Sequence, residues 1–329
     1  MKLADIFAGG MVLAANRPIR IFGEGRGRAT VSLNGNCAEV VSDTDTWCVE
    51  LPAMEYGGPY EIELCEGDMR AVIRDVYVGE VYLFTGQSNM TMMLEETNTP
   101  MQAYVNDERI RHVTIPSLPA AISGWEVATV ECVGKWSAIG YLVCKAIAEE
   151  KGIHVGAILC AQGASVIETW MPEGALEKIG ISIPPEKKHR NHFDRVFNVD
   201  GLLYNERLSR VIPFTNSGVI WYQGESDASE AEGEVYAREL TELIRIWRAD
   251  FCDEGLPFTV VQIADCYGRM AEGPGWRMIQ EAQTELPSRV ANTYTVISRD
   301  ICETDAIHPP TKDVLSKRIA EIVRKHYFN

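Results

Sequence analysis

The chain has 329 residues, of which 46% are hydrophobic and 24% charged, as in an ordinary globular protein. Its net charge is −16, and no cluster of Lys and Arg offsets it. This charge disfavours nucleic acids and anionic membranes as partners, because both carry dense negative charge.

The N-terminal segment MKLADIFAGG is a poor signal peptide, because Asp5 and the pair Gly9-Gly10 interrupt its apolar run. Nothing in the chain approaches the roughly 20 apolar residues of a membrane span. The nine cysteines are scattered without a C-x-x-C pair, and most lie in apolar runs. We therefore expect a cytoplasmic protein whose thiols are reduced and mostly in the core.

Residues 1–75 have the sequence pattern of a small β module. Short runs such as ATVSLNG and YEIELCEG alternate apolar with polar residues and are separated by turn residues. Asn34-Gly35 is a strong signal for a two-residue hairpin, and Gly57-Gly58-Pro59 indicates another turn. No helical pattern is present. We predict an antiparallel β module over residues 1–75.

Residues 76–329 have a different pattern, in which apolar runs alternate with helical stripes. The runs are VYLF, VGAILC, VIWY, FTVVQIA and YTVI. Apolar strands that alternate with helices predict a parallel sheet with helices on both faces, which is an α/β domain. The stripes are Ile139 to Ile147 with a stop at Gly152, Tyr236 to Trp247, and Leu315 to Ile322 with Thr311 as the N-cap.

Small and polar residues follow four of the five runs. They are TGQSNM, AQGAS, QGESD and, near the C-terminus, DAIHPP. Ligands of parallel α/β sheets bind beyond the C-terminal strand ends, so we expect these residues to meet. A serine hydroxyl needs a base, which His308 can supply, and a carboxylate such as Asp305 can orient the imidazole. The set predicts acyl transfer with Ser88 as the nucleophile, although Ser88 could instead only cap a helix.

The developing oxyanion needs hydrogen-bond donors. The backbone N–H groups of Ser88 and Gly163, together with the side-chain amide of Gln223, would supply three. Gln87 and Asn89 are predicted to order the serine turn through side-chain hydrogen bonds. We expect Glu225 to be a structural carboxylate that braces the loops near Gln223.

The motifs GQSNM, QGAS, WYQGES and D-x-x-H-P resemble the four conserved blocks of the SGNH hydrolase superfamily. They are most similar to its sialate O-acetylesterase-like branch, which includes acetylxylan esterases. The resemblance covers residues 76–329 and implies a flavodoxin-like sheet, no cofactor, and the roles assigned above to Ser88, Gly163, Gln223 and His308. Many relatives have an Asp two residues before the His, where this chain has Ala306. Asp305 is therefore predicted as the third member of the triad, with Asp300 as the fallback and a Ser–His dyad as the alternative.

The resemblance implies a carbohydrate O-acetylesterase that works through an acetyl-enzyme, with 9-O-acetylated sialic acid as the first candidate substrate. Acetylated xylan or mannan oligosaccharides are the second candidate. A sialate carboxylate needs a cation, for which Arg269 or Arg277 is predicted. An alternative from another class is a non-catalytic carbohydrate-binding protein. A homo-oligomer is possible in either case.

One further pattern concerns metals. His189 and His192, in the segment KKHRNHFD, have a spacing that could hold an ion. The sequence shows no third ligand near them, so we predict no metal.

Overall fold

The computed structural model describes residues 1–267 and 273–328. Within these residues the strands are β1 (Lys2–Leu3), β2 (Val12–Ala14), β3 (Ile19–Glu24), β4 (Gly27–Leu33), β5 (Asn36–Ser42), β6 (Thr46–Leu51), β7 (Gly57–Glu66), β8 (Met69–Gly86), β9 (Asp107–Thr114), β10 (Glu126–Ala128), β11 (Val155–Ala161), β12 (Gly218–Tyr222), β13 (Phe258–Val261) and β14 (Thr293–Val296). The α-helices are α1 (Ser88–Thr91), α2 (Ala138–Lys151), α3 (Ala175–Lys178), α4 (Asn191–Asp194), α5 (Leu202–Glu206), α6 (Glu230–Asp250), α7 (Pro274–Arg289) and α8 (Asp313–His326).

The N-terminal residues form two groups of strands. Strands β1, β3 and β6 make a small antiparallel sheet, and β5, β4 and β7 form an antiparallel ribbon that continues into β8. The predicted hairpin at Asn34-Gly35 is confirmed, with φ of 48° and 81° and with Leu33 opposite Asn36. The turn predicted at Gly57 to Pro59 is wrong, because these residues begin β7 and pair irregularly with β8. Strand β2 runs parallel to β8, so the module is not purely antiparallel.

Strand β8 joins the two parts of the chain. It is 18 residues long, and its first half pairs with β7 while its second half pairs with β11 and β12. The predicted boundary between residues 75 and 76 therefore falls inside a continuous strand. The division into two domains stays a prediction.

The central sheet has the order β10-β9-β11-β8-β12-β13-β14. All of its neighbouring pairs are parallel except β10 with β9. The five predicted apolar runs lie in β8, β11, β12, β13 and β14, and every residue of β11 and β12 is buried, so both faces of these strands are covered. The parallel α/β sheet is thus confirmed. The edge pair β9 and β10 was not predicted, and the flavodoxin-like classification stays a prediction.

The three helices predicted from apolar stripes are present as α2, α6 and α8. Helix α2 ends at Gly152, which has the left-handed φ of 68°, as predicted. The N-cap predicted for α8 is wrong, because Lys312 occupies that position. The Thr311 hydroxyl instead donates to Glu303 within the preceding loop.

Two further expectations concern the burial of the cysteines and the presence of membrane-spanning helices. All nine cysteines are unpaired, but only Cys144, Cys160 and Cys302 are buried, so the expectation that most are core thiols is wrong. Among the residues described, no helix is both long and apolar enough to cross a membrane.

Candidate active site

The serine turn begins where β8 meets β12. Gly86 has φ of 124°, and a Cβ atom there would lie 2.1 Å from the Tyr222 carbonyl oxygen, so only glycine fits. Ser88 is the first residue of the short helix α1, and Gln87 occupies the N-cap position. The Ser88 Oγ lies 2.7 Å from Nε2 of His308. The hydroxyl therefore contacts a base 220 positions away instead of capping its own helix.

His308 lies on the loop that precedes α8. Partial burial and the nearby Lys312 ammonium lower the pKa of His308 from its ordinary value of 6.5, and the Glu96 carboxylate opposes them. The imidazole is therefore neutral at pH 7 and can accept a proton. For Nε2 to accept the proton of Ser88, the neutral ring carries its hydrogen on Nδ1.

The predicted acid is less closely engaged. Asp305 is exposed on the same loop as His308, and within the described residues no hydrogen bond joins its carboxylate to the imidazole. The fallback, Asp300, forms a bidentate ion pair with Arg318, both bonds being 2.7 Å. The role of either aspartate as the acid therefore stays a prediction. The contact that the structure shows is the one between Ser88 and His308.

The two amides beside Ser88 tie its turn to neighbouring loops. Gln87 Oε1 accepts hydrogen bonds from the backbone N–H groups of Gly224 and Ser226, each at 3.3 Å. Asn89 Nδ2 donates to Glu225 Oε1 at 2.7 Å and to the Ile307 carbonyl at 2.9 Å. Since Ile307 immediately precedes His308, Asn89 links the loop that carries the base to the turn that carries the serine.

Lys312 is a site residue that the sequence analysis missed. Its side chain is fully buried, its Nζ donates to Asn89 Oδ1 at 2.7 Å, and it lies 5.5 Å from the centre of the Tyr222 ring. Burial lowers the pKa of Lys312 to about 8, and raises the pKa of the buried Glu225 carboxyl. A lysine at a helix start usually reaches solvent, so no local signal in the sequence could have identified it.

Two backbone N–H groups are available for an oxyanion. Gly163 lies beside Ser88, since a Cβ atom added there would be 3.6 Å from Ser88 Cβ. In the described part of the chain, neither the Ser88 N–H nor the Gly163 N–H donates to a protein acceptor. Unpaired donors next to a nucleophile are what an oxyanion hole requires.

Gln223, the third predicted donor, lies beneath the site. It is fully buried, and its Nε2 donates to the Ser165 carbonyl at 3.1 Å and to Asp227. Its Oε1 accepts from the Tyr236 hydroxyl at 2.9 Å. Both hydrogens of the Gln223 amide are thus engaged. Its oxyanion role stays a prediction, and it would require one of these hydrogen bonds to be exchanged for one to the oxyanion.

A cavity of about 370 Å³ opens above Ser88 and His308. The segment that follows β11 contributes Arg190, Asn191 and Arg195 to its wall. Of the two arginines predicted to bind a carboxylate, Arg277 lines a different groove and Arg269 lies outside the described residues.

Comparison with known proteins bears on the family. A family model described as carbohydrate esterase, sialic acid-specific acetylesterase, matches residues 78–325. The sialate O-acetylesterase of Pongo abelii is 25% identical over 89% of this chain and 62% of its own length. The sialate O-acetylesterase of Homo sapiens is 26% identical over 85% of this chain and 60% of its own length. The chain thus spans about three fifths of the length of these curated relatives.

Solved structures agree with the family match. A carbohydrate acetylesterase from Xanthomonas citri is 30% identical, with a TM-score of 0.86 over 99% of this chain and 75% of its own. A protein from Arabidopsis thaliana shares the fold at 19% identity, with a TM-score of 0.50 over 76% of this chain and 99% of its own. The chain therefore belongs to the carbohydrate esterase family of sialic acid-specific acetylesterases.

Proposed function

We propose that this chain is a serine-dependent carbohydrate O-acetylesterase with Ser88 as nucleophile and His308 as general base. The observation that carries the proposal is the 2.7 Å contact between Ser88 Oγ and His308 Nε2, at the floor of an open cavity. A serine with a neutral imidazole in hydrogen-bond reach is the minimal unit of nucleophilic acyl transfer. Membership of a carbohydrate esterase family supports an acetylated sugar as the substrate.

The chemistry follows from the positions of the groups. His308 Nε2 takes the Ser88 proton as Oγ attacks the acetyl carbonyl carbon, and the N–H groups of Ser88 and Gly163 stabilise the oxyanion. The bond to the sugar oxygen then breaks, and His308 returns the proton to that oxygen. Water attacks the acetyl-Ser88 ester, again with His308 as the base, and acetate leaves. In this proposal Asp305 remains the third member of the triad. Gln223 remains the third oxyanion donor, for which its amide exchanges its hydrogen bond to the Ser165 carbonyl or to Asp227.

The wall of the cavity favours a substrate that carries a carboxylate, such as an O-acetylated sialic acid. Arg195 lines the cavity and donates to the Asp194 carbonyl, and it forms no ion pair with any acidic side chain that the structure describes. A guanidinium without a carboxylate partner can bind the carboxylate of a sugar acid. The curated relatives named sialate O-acetylesterases support this substrate class. Neutral acetylated oligosaccharides are the second candidate, supported by the carbohydrate acetylesterase from Xanthomonas citri.

Removal of the nucleophile tests the proposal first. We expect Ser88→Ala to lower kcat for acetate release by roughly 10⁴-fold or more, as for removal of a serine nucleophile elsewhere. Ser209→Ala, which removes another hydroxyl far from the site, should leave the rate unchanged. Acetate release from an acetylated sugar measures both, with circular dichroism as the check of folding. If a folded Ser88→Ala variant retained its rate, Ser88 would not be the nucleophile, and the reaction would depend on other residues.

The pH dependence tests the role of His308. The base must be neutral to accept a proton, and its pKa is lowered by burial and by Lys312. As the pH falls, kcat/KM should therefore hold until the pH passes below 6.5, and then decline with a midpoint beneath that ordinary value. The measurement is kcat/KM against pH, with tryptophan fluorescence to show that the protein stays folded. An acid limb centred above 6.5 would be inconsistent with this environment of His308.

The substrate class is tested with a panel of acetylated sugars. We expect Arg195→Gln to lower kcat/KM for 9-O-acetylated sialic acid by roughly 10- to 100-fold, the loss of one charge-assisted hydrogen bond. The same variant should hydrolyse acetylated xylo- and manno-oligosaccharides at the wild-type rate. Arg277→Gln, which changes an arginine in a different groove, is the matched control. A wild-type preference for the neutral sugars, with no effect of Arg195→Gln, would select the second candidate substrate.

A further inference from the structure

Four acidic side chains meet in the interior behind the active site. Glu168 follows β11, Asp227 lies in the turn after β12, and Glu232 and Glu239 lie on α6. Glu168 is 7% exposed, and the other three are 1% exposed. Several carboxylates buried together repel one another, and each loses its hydration, so they need compensation.

The protein itself compensates only part of this charge. Lys188 Nζ lies 2.9 Å from Glu168 Oε1, and His192 Nε2 lies 2.5 Å from Glu232 Oε1. Four carboxylates with one ammonium and one imidazole leave uncompensated negative charge in the interior, which a bound cation would offset.

Several atoms of the cluster point to a cation. Glu168 Oε2, Glu239 Oε1 and His192 Nε2 are buried and make no hydrogen bond in the described part of the chain. His192 Nε2 lies within ion-pair distance of two carboxylates, those of Glu232 and, at 3.5 Å, of Glu168. Buried carboxylate oxygens and imidazole nitrogens that make no hydrogen bond are atoms of the kind that metal ions bind.

The geometry of three of these residues suits a single ion. One ligand atom each of Glu168, His192 and Asp227 lies within 4.8 Å of the other two. Two ligand atoms on opposite sides of a metal ion are roughly 4.0–4.4 Å apart, since each bond is about 2.0–2.2 Å, so the three atoms would draw slightly closer together on binding one ion. A mix of carboxylates and one imidazole suits first-row transition metals better than Ca²⁺ or Mg²⁺.

The cluster can also be reached from outside. Glu168, Lys188 and His192 line a cavity of about 160 Å³, with Glu177 and Asp200 nearby. An ion and its water ligands fit in such a volume, since one water takes about 30 Å³.

We propose that Glu168, His192 and Asp227 bind a divalent transition-metal ion such as Zn²⁺ or Mn²⁺. Glu232 and Glu239 supply further carboxylate charge next to it. The proposal differs from the sequence-based expectation of no metal, which rested on the absence of a third ligand near His189 and His192. Glu168 and Asp227 come from the ends of two different strands, and only the folded sheet brings them to His192.

The ion would stabilise the wall of the active site. The His189 N–H donates to Glu232 at 2.8 Å, and the Asn191 amide donates to the Ser226 hydroxyl at 2.9 Å. The segment that carries His192 also carries Arg195, which lines the cavity above Ser88. Because this segment is held to the acidic cluster, the part of the cavity wall that contains Arg195 is held in place.

The test is metal binding to the full chain. After treatment with EDTA, calorimetric titration with Zn²⁺ and with Mn²⁺ should show about one ion per chain for at least one of the metals, and that ion should raise the Tm. Asp227→Asn and His192→Ala should each weaken binding by more than about 100-fold, beyond the effect of losing an outer partner. Glu177→Gln and His189→Ala, a carboxylate and an imidazole close by but outside the ligand set, should bind as the wild type does.

A second measurement does not depend on whether the variants fold. Pulsed electron paramagnetic resonance of the wild-type protein with Mn²⁺ should detect coupling to one imidazole nitrogen. The proposal is overturned if the wild type binds neither ion at millimolar concentration. It is equally overturned if folded Asp227→Asn and His192→Ala variants bind with unchanged affinity, or if the bound Mn²⁺ has no nitrogen ligand.

Discussion

The side-chain amide of Asn89 is the contact on which the geometry of the site depends. It donates to Glu225 and to the Ile307 carbonyl, and it accepts from the buried Lys312 ammonium. Glu225 follows β12, whereas Ile307 and Lys312 both lie on the loop that precedes α8, so this one residue beside Ser88 joins its own turn to two other segments. Hydrogen bonds to charged groups in the interior are worth about 1.5–3 kcal/mol each. Asn89 thus holds the position of His308 relative to Ser88.

The parallel sheet explains why such distant residues can meet. Strands β8, β11 and β12 are neighbours, and their C-terminal ends supply Ser88, Gly163 and the loop with Glu225. Gly86 allows β8 to approach the backbone of β12 so closely that Gln87 can bind the N–H groups of the next loop. The same arrangement places Asp227 and Glu168 side by side behind the site. One sheet edge therefore carries the contact between Ser88 and His308 in front and a buried acidic cluster behind.

The sequence predicted those parts of this arrangement that depend on local pattern. Apolar runs identified the five core strands, and helical stripes identified α2, α6 and α8. The polar residues after the strands predicted that Ser88 and His308 would meet. Partners chosen by tertiary packing were not predictable. Lys312 looks like a surface lysine before a helix, yet its ammonium is buried against Asn89. Gln223 follows a strand as an oxyanion donor would, but Ser165, Asp227 and Tyr236 occupy its amide.

The central claim is that His308 makes Ser88 nucleophilic, and covalent labelling tests it most directly. Incubation with a fluorophosphonate probe, followed by peptide mass spectrometry, should place a single label on Ser88. His308→Gln should slow that labelling by orders of magnitude while the protein stays folded. A label on another residue, or labelling of Ser88 at the same rate without His308, would contradict the account.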